Sequence, residues 1–131
     1  MINSLVDHAA TMGHRVEFLP LHGKSGLLLP NRLILINSER RAMTQKVALA
    51  HELGHVHYGH DWRYRHDRER DEAQADKYAA SLLISPVEYA VAEAMYDSPP
   101  AIAHELEVPV KLLLLWQSLY SVGSQGLVRS A

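Results

Sequence analysis

The chain contains no cysteine, which excludes disulfide frameworks and thiolate metal sites and leaves nitrogen and oxygen as the only strong metal ligands. It has no apolar run near the roughly 20 residues of a membrane-spanning helix, and it does not open with a basic segment followed by an apolar one. The net charge of -2 provides no electrostatic surface for nucleic acid. These absences predict a cytoplasmic protein that contacts neither membrane nor nucleic acid directly.

The residues that are present suffice for one core, because 47% of the 131 residues are hydrophobic. We therefore expect a single domain over residues 1–131, with a C-terminal helical part at about 86–121. Apolar residues at helical spacing predict a short helix over residues 2–12, which Gly13 should end. The segments RVEFLPL and GLLLPNRLILIN then predict three strands, with a hairpin tip at residues 30–32.

The helical period returns after the strands. Residues 41–58 are apolar almost all round, which predicts a buried helix, and a second core-facing helix should end near Ile84. Between them, the mixed charges of residues 61–72 predict a solvated loop and helix start. Ser85, Pro86 and Glu88 form the pattern that begins another helix, and two last helices are expected at about 100–106 and 109–121, before a frayed tail. The predicted fold class is α+β, with a small antiparallel three-stranded sheet packed on the buried helix.

Four histidines and one glutamate are concentrated in the stretch ALAHELGHVHYGH, residues 48–60. On an α-helix, His51 and His55 lie one turn apart on the same face, so both rings can reach one cation. Glu52 lies about 100° further round, away from the ligand direction but within reach of a water at the metal. Burying two imidazoles on an apolar helix is costly unless something satisfies both. The HExxH pattern therefore predicts zinc ligands at His51 and His55 and a general base at Glu52.

A catalytic zinc site normally has three protein ligands and one open position, so a third ligand should come from elsewhere in the chain. Glu72 is the best candidate, because it falls at the edge of the core-facing stripe of the next helix. Asp76 lies one turn further along that edge, where it can accept a hydrogen bond from the second ring nitrogen of His51. Asp71 is the alternative third ligand, and Glu72 could instead be a solvated acid at a helix N-terminus.

Other polar side chains near the motif are possible donors in a cleft. His60 lies where the helix should be ending, so it either lines the cleft or is exposed. Tyr58, Tyr78 and the histidines His57 and His60 could each donate to a developing oxyanion, and the sequence does not choose among them. His57 lies about 200° round the helix from His51 and cannot join the same metal site.

The stretch ALAHELGHVHYGH and the later DEAQADKYAASLLISP together resemble the ImmA/IrrE-type metallo-endopeptidases, which occur with repressors of mobile elements and stress genes. The second stretch is similar to that family's pattern E-x-x-A-[ND]-x-[FY]-A-x-x-L-L-x-P. The resemblance extends from about residue 26 to residue 86, and the C-terminal helices are similar only in outline. It implies zinc held by His51, His55 and Glu72, catalysis by Glu52, and an Asp76 that orients the first histidine.

The expected function is that of a zinc-dependent endopeptidase. The resemblance implies that its substrate is a helix-turn-helix repressor, whose cleavage would switch on a mobile-element or stress operon. One alternative is a non-catalytic module in which zinc only links two helices and the protein sequesters a repressor. Glu52 argues against this alternative, because a purely structural zinc site does not need a general base. Another is a DNA-binding regulator built on the last two helices. The last helix carries Lys111 as its single cation, which argues against groove binding and for packing of its apolar stripe.

Overall fold

A computed structural model describes residues 2–60 and 67–123, with side chains described as far as Tyr120. The predicted loop at 61–66 and most of the predicted frayed tail lie outside the described residues. The α+β class is confirmed. The described elements are α1 (Ile2–Thr11), β1 (Arg15–Leu19), β2 (Gly26–Leu29), β3 (Leu33–Asn37), α2 (Ala42–His57), α3 (Arg68–Leu83), α4 (Pro86–Met95), α5 (Pro99–Leu106) and α6 (Val110–Gly123).

The strand order is β1-β3-β2, and one of its two pairings differs from the prediction. The β2–β3 hairpin is antiparallel as expected, and its tip uses positive φ at Asn31 and Arg32. The prediction of a wholly antiparallel sheet is wrong for β1 and β3, which pair in parallel with Val16 opposite Ile34. The reason is that residues 20–25 connect β1 to β2 across the end of β3. Strand β3, the most buried of the three, therefore lies between β1 and β2 and runs parallel to β1.

The chain divides into two compact units, Met1–Ala79 and Ala80–Ala131, and the single-domain prediction stays a prediction. In the first unit, helix α2 contacts β2 and β3. Its apolar residues are buried as predicted from Ala48 to Leu53, whereas Met43, Val47 and Val56 are half-buried. Helix α2 also approaches α3 very closely at Gly54, where an added Cβ would lie 2.7 Å from the Cα of Ala75. The buried apolar side chains of this unit are Leu5, Ala9, Ile34, Ile36, Ala48, Leu49, Ala50, Leu53, Ala75 and Ala79.

A buried amide side chain organises the chain around the end of β3. The Asn37 amide nitrogen donates to the carbonyl oxygens of Leu21 and Lys24, each at 2.8 Å. Its side-chain oxygen accepts from the backbone N–H of Glu39 at 3.0 Å. Asn37 is only 3% exposed, so all three hydrogen bonds are shielded from water. One side chain therefore fixes both the β1–β2 connection and the turn that precedes α2.

In the second unit, the cap of α4 is as predicted: the Ser85 hydroxyl accepts from the backbone N–H of Glu88 at 3.1 Å, and a proline occupies the first turn. Helix α5 begins the same way, with Ser98 as N-cap and Pro99 as its first residue. In α6, the predicted apolar stripe is buried at Leu112, Leu113 and Trp116 and half-buried at Leu119 and Tyr120. Among the described residues, no helix combines the length and the apolar character needed to cross a membrane.

Candidate metal centre

Helices α2 and α3 bring the three predicted zinc ligands together. His51 and His55 lie one turn apart on α2, and their Nε2 atoms are 3.1 Å from each other. Glu72 on α3 completes a triangle, with Oε1 3.3 Å from Nε2 of His51 and Oε2 2.7 Å from Nε2 of His55. His55 is 5% exposed, so this triangle lies at the edge of the core. Two imidazole rings and a carboxylate thus point at one place.

The triangle fits a small divalent cation. Bonds of about 2.0–2.1 Å in tetrahedral geometry place zinc ligands about 3.3 Å from one another. Two of the three distances between the ligand atoms, 3.1 and 3.3 Å, are close to that value, the third is shorter at 2.7 Å, and the whole set lies within 4.8 Å. Two histidines and one glutamate are a donor set that catalytic zinc sites use, and three ligands leave a fourth position open. His51, His55 and Glu72 can therefore hold an ion.

Asp76 lies against the outer nitrogen of the first histidine, at the place that the sequence predicted. Its Oδ1 is 2.8 Å from Nδ1 of His51, one turn along α3 from Glu72. Burial lowers the pKa of His51, but the hydrogen bond to Asp76 and the charges of Glu52, Asp76 and Glu72 outweigh it, so the net pKa is raised. The surroundings of this ring therefore favour a positive charge, as a cation site requires.

His60 and Asp71 lie on the other side of the triangle, next to His55. Nδ1 of His60 is 2.9 Å from Nδ1 of His55, and its Nε2 is 2.9 Å from Oε1 of Gln74 and 3.3 Å from Oδ1 of Asp71. Asp71, the alternative third ligand, is 3% exposed and its carboxylate faces His60. The group of side chains close enough to share a metal ion consists of His51, His55 and Glu72 and does not include Asp71. Sequence reasoning did not identify Gln74. The available signal was the spacing of Asp71 and Gln74, one turn apart on α3.

A cavity of about 360 Å³ opens beside the triangle. Glu52 lines it together with His60, which agrees with one of the two alternatives for that histidine. One wall is β2, which lies at an edge of the described sheet. The described lining residues are Lys24, Gly26, Leu27, Leu28, Leu29, Pro30, His51, Glu52, His55, His60, Arg68 and Glu72.

Tyr78 has its described contacts elsewhere. Its hydroxyl is 3.4 Å from Nε2 of His8, and its ring stacks on His57 at 4.6 Å. His57 is exposed and lies away from the metal ligands, as its position on the helix predicted. The role of Tyr78 as a donor in the cleft stays a prediction, and none of these contacts supports it.

A family model described as Peptidase_M78, the IrrE N-terminal-like domain, matches residues 9–115. The chain belongs to the Peptidase_M78 family. The match includes the sheet, both helices of the metal centre and α4 and α5, and it confirms the resemblance drawn from the HELGH stretch. Membership makes the chain a protein of a metallopeptidase family and implies a bound metal, for which His51, His55 and Glu72 are close enough. A comparison with curated proteins gives no significant match.

Proposed function

We propose that this M78 protein is a zinc-dependent endopeptidase, with Glu52 as its general base. One observation carries the proposal: His51, His55 and Glu72 converge beside Glu52 in a single cavity. A site that only stapled two helices would not need a carboxylate beside an open coordination position. The two histidine ligands and the base come from one turn of α2, so the helix itself sets their relative positions.

When bound, zinc would supply Lewis acidity toward a peptide carbonyl and lower the pKa of an attacking water toward about 7. The chain supplies the remaining chemistry. Glu52 accepts the proton from the water as it attacks, and then returns that proton to the leaving amine. Asp76 holds His51 in the orientation in which Nε2 faces the triangle. The products are one new carboxylate and one new amine.

The wall formed by β2 supports a peptide as the substrate. An extended peptide can add to an exposed sheet edge, where backbone hydrogen bonds hold it whatever its side chains. β2 pairs with β3 along one edge, and Leu27, Leu28 and Leu29 are half-buried beside the cavity. A chain bound along this edge would lie beside the cavity that the metal ligands line. The same edge offers apolar contacts to alternate side chains of the substrate.

The proposed substrate is a helix-turn-helix repressor in the cytoplasm, whose cleavage derepresses a mobile-element or stress operon. Support for this substrate comes from the kinship with ImmA/IrrE-type proteins. The chain is proposed to act on the repressor protein and to make no direct contact with DNA. The burial of Leu112, Leu113 and Trp116 is consistent with that, because it assigns much of α6 to packing.

The test pairs the parent protein with Glu52→Gln, which removes the base and keeps every ligand. Both are purified, their zinc content is measured, and each is co-expressed with the helix-turn-helix repressor encoded nearest to its own gene. We expect equal zinc in both proteins and fragments of the repressor only with the parent. Cleavage by pure Glu52→Gln protein would disprove the assignment of the base.

Two further outcomes separate this proposal from the non-catalytic module. If the parent binds zinc and forms a stable complex with the intact repressor, the module is correct and the peptidase is not. His51→Ala removes a metal ligand in place of the base, and this variant should lose both the bound metal and the cleavage activity. A parent protein that retains no zinc or other divalent ion after metal loading would reject both functions.

A further inference from the structure

The two histidine ligands are held from outside in different ways. Nδ1 of His51 faces the carboxylate of Asp76 directly, at 2.8 Å. Nδ1 of His55 faces another imidazole, that of His60, at 2.9 Å. Behind His60 lie the amide oxygen of Gln74 and the carboxylate of Asp71. On its Nδ1 side, the second ligand therefore faces an imidazole, and a carboxylate lies behind that ring.

A metal bound at Nε2 would decide which nitrogen of His55 carries the proton. Its Nε2 faces the ligand triangle, 3.1 Å from Nε2 of His51 and 2.7 Å from Oε2 of Glu72. A metal bound at Nε2 requires the ring proton to lie on Nδ1. That N–H then donates to Nδ1 of His60, which must accept it without a proton of its own.

The second nitrogen of His60 completes this arrangement. With Nδ1 acting as acceptor, His60 carries its proton on Nε2, where the amide oxygen of Gln74 at 2.9 Å accepts it. Oδ1 of Asp71 lies 3.3 Å from the same nitrogen and favours this tautomer electrostatically. The ring N–H groups of His55 and His60 thus each meet an acceptor, and both hydrogen bonds run in the same direction.

We propose that His60 is a positioning residue for His55, and that Asp71 and Gln74 hold His60 in the tautomer that this role requires. The side chains of His60 and Asp71 are 9% and 5% exposed, so water has little access to compete for these hydrogen bonds. His60 would fix the orientation of the His55 ring without placing a full negative charge against it. The inference rests on the proposed metal binding, and its experiment distinguishes failure of one from failure of the other.

The first measurement is the zinc dissociation constant, obtained by competition with a chromogenic chelator. His60→Ala should weaken binding by about 10- to 100-fold, the usual effect of removing a partner of a ligand. His60→Gln should recover much of the loss, because its amide oxygen can accept from His55 and its NH₂ group can donate onward. His57→Ala is the matched control, because it removes an exposed histidine from α2, the helix that carries His55. This variant should bind zinc as the parent does.

The second measurement tests the tautomers in the zinc-loaded parent by ¹⁵N NMR. We expect His55 to carry its proton on Nδ1 and to show a through-hydrogen-bond coupling to Nδ1 of His60. Packing alone would not produce such a coupling. The measurement uses the parent, so it decides the question even if His60→Ala does not fold.

The outcomes separate the two proposals. A parent that binds no zinc rejects the proposed function and this inference together. A parent that binds zinc, with unchanged affinity in His60→Ala and no coupling between the two rings, overturns this inference alone. A cobalt-loaded His60→Ala whose spectrum shows one ligand fewer than the parent would make His60 a ligand itself, which also overturns the positioning role.

Discussion

Replacing Gly54 by alanine is expected to force helices α2 and α3 apart and so to disrupt the metal centre. The added Cβ would lie 2.7 Å from Cα and 2.8 Å from the carbonyl oxygen of Ala75, whereas ordinary contact begins at 3.4 Å. The obstructing atoms belong to the backbone, so no change of rotamer relieves the overlap. The helices must therefore separate locally by roughly 0.7 Å, the difference between 2.7 Å and the 3.4 Å of ordinary contact.

This separation acts directly on the ligands, because His51 and His55 flank Gly54 on α2 and Glu72 lies one turn before Ala75 on α3. Metal–ligand distances tolerate changes of only about 0.2 Å. We expect zinc to bind at least about tenfold more weakly, a loss of about 1.4 kcal/mol. The metal-free protein should be destabilised by about 0–2 kcal/mol, the net result of two opposing effects. Alanine gains about 1 kcal/mol over glycine in a helix, and overpacking typically costs about 1–3 kcal/mol.

The assay combines chelator competition with thermal unfolding of the metal-free protein. Gly26→Ala is the matched control, because Gly26 also lies beside the cavity. Its Cβ would meet the flexible end of the Ile36 side chain at 3.2 Å, and its contacts with Ala48 Cβ and the Leu35 carbonyl oxygen, both at 3.4 Å, are ordinary. The control should bind zinc nearly as well as the parent. If Gly54→Ala retains the parent affinity, the close approach of the helices does not set the ligand geometry, and the reasoning is wrong.

Three other substitutions test single contacts. Asp76→Asn should weaken zinc binding by about 10- to 100-fold without abolishing it, because it removes the charge that orients His51; unchanged affinity would make Asp76 a surface charge. Trp116→Ala should lower stability by about 3–5 kcal/mol, because Trp116 is 4% exposed and its ring packs against that of Tyr89, with the centroids 4.5 Å apart. Melting like the parent would contradict that packing. Ser85→Ala should cost about 1 kcal/mol through loss of the α4 cap, measured by denaturant unfolding.

The parts of the metal centre that could be predicted from sequence depend on helical geometry alone. Residues at i and i+4 share a face in any α-helix, so the sequence alone predicts that His51 and His55 point the same way. The apolar stripe of α3 likewise identified the face that carries Glu72 and Asp76. Periodicity is a local property, and these assignments required no knowledge of strand order.

The parts that could not be predicted depend on how distant segments meet. The parallel pairing of β1 with β3 follows from the insertion of one strand between two others, which alternation of apolar residues does not encode. The contact between His60 and His55 depends on the turn at Gly59, where φ is +69°, and on side chains from α3. Sequence placed His60 near the cleft, while its partners required the tertiary structure.

The carboxamide of Asn37 has a consequence for the chemical lifetime of the protein. Deamidation would replace its two N–H donors by a carboxylate oxygen facing the carbonyl oxygens of Leu21 and Lys24. The two hydrogen bonds would be replaced by repulsion between oxygen atoms at a residue that is 3% exposed, so the connection before β2 would no longer be held by this side chain. Because Lys24 lines the cavity, slow deamidation of one buried amide would destabilise one wall of the site and leave every metal ligand chemically unchanged.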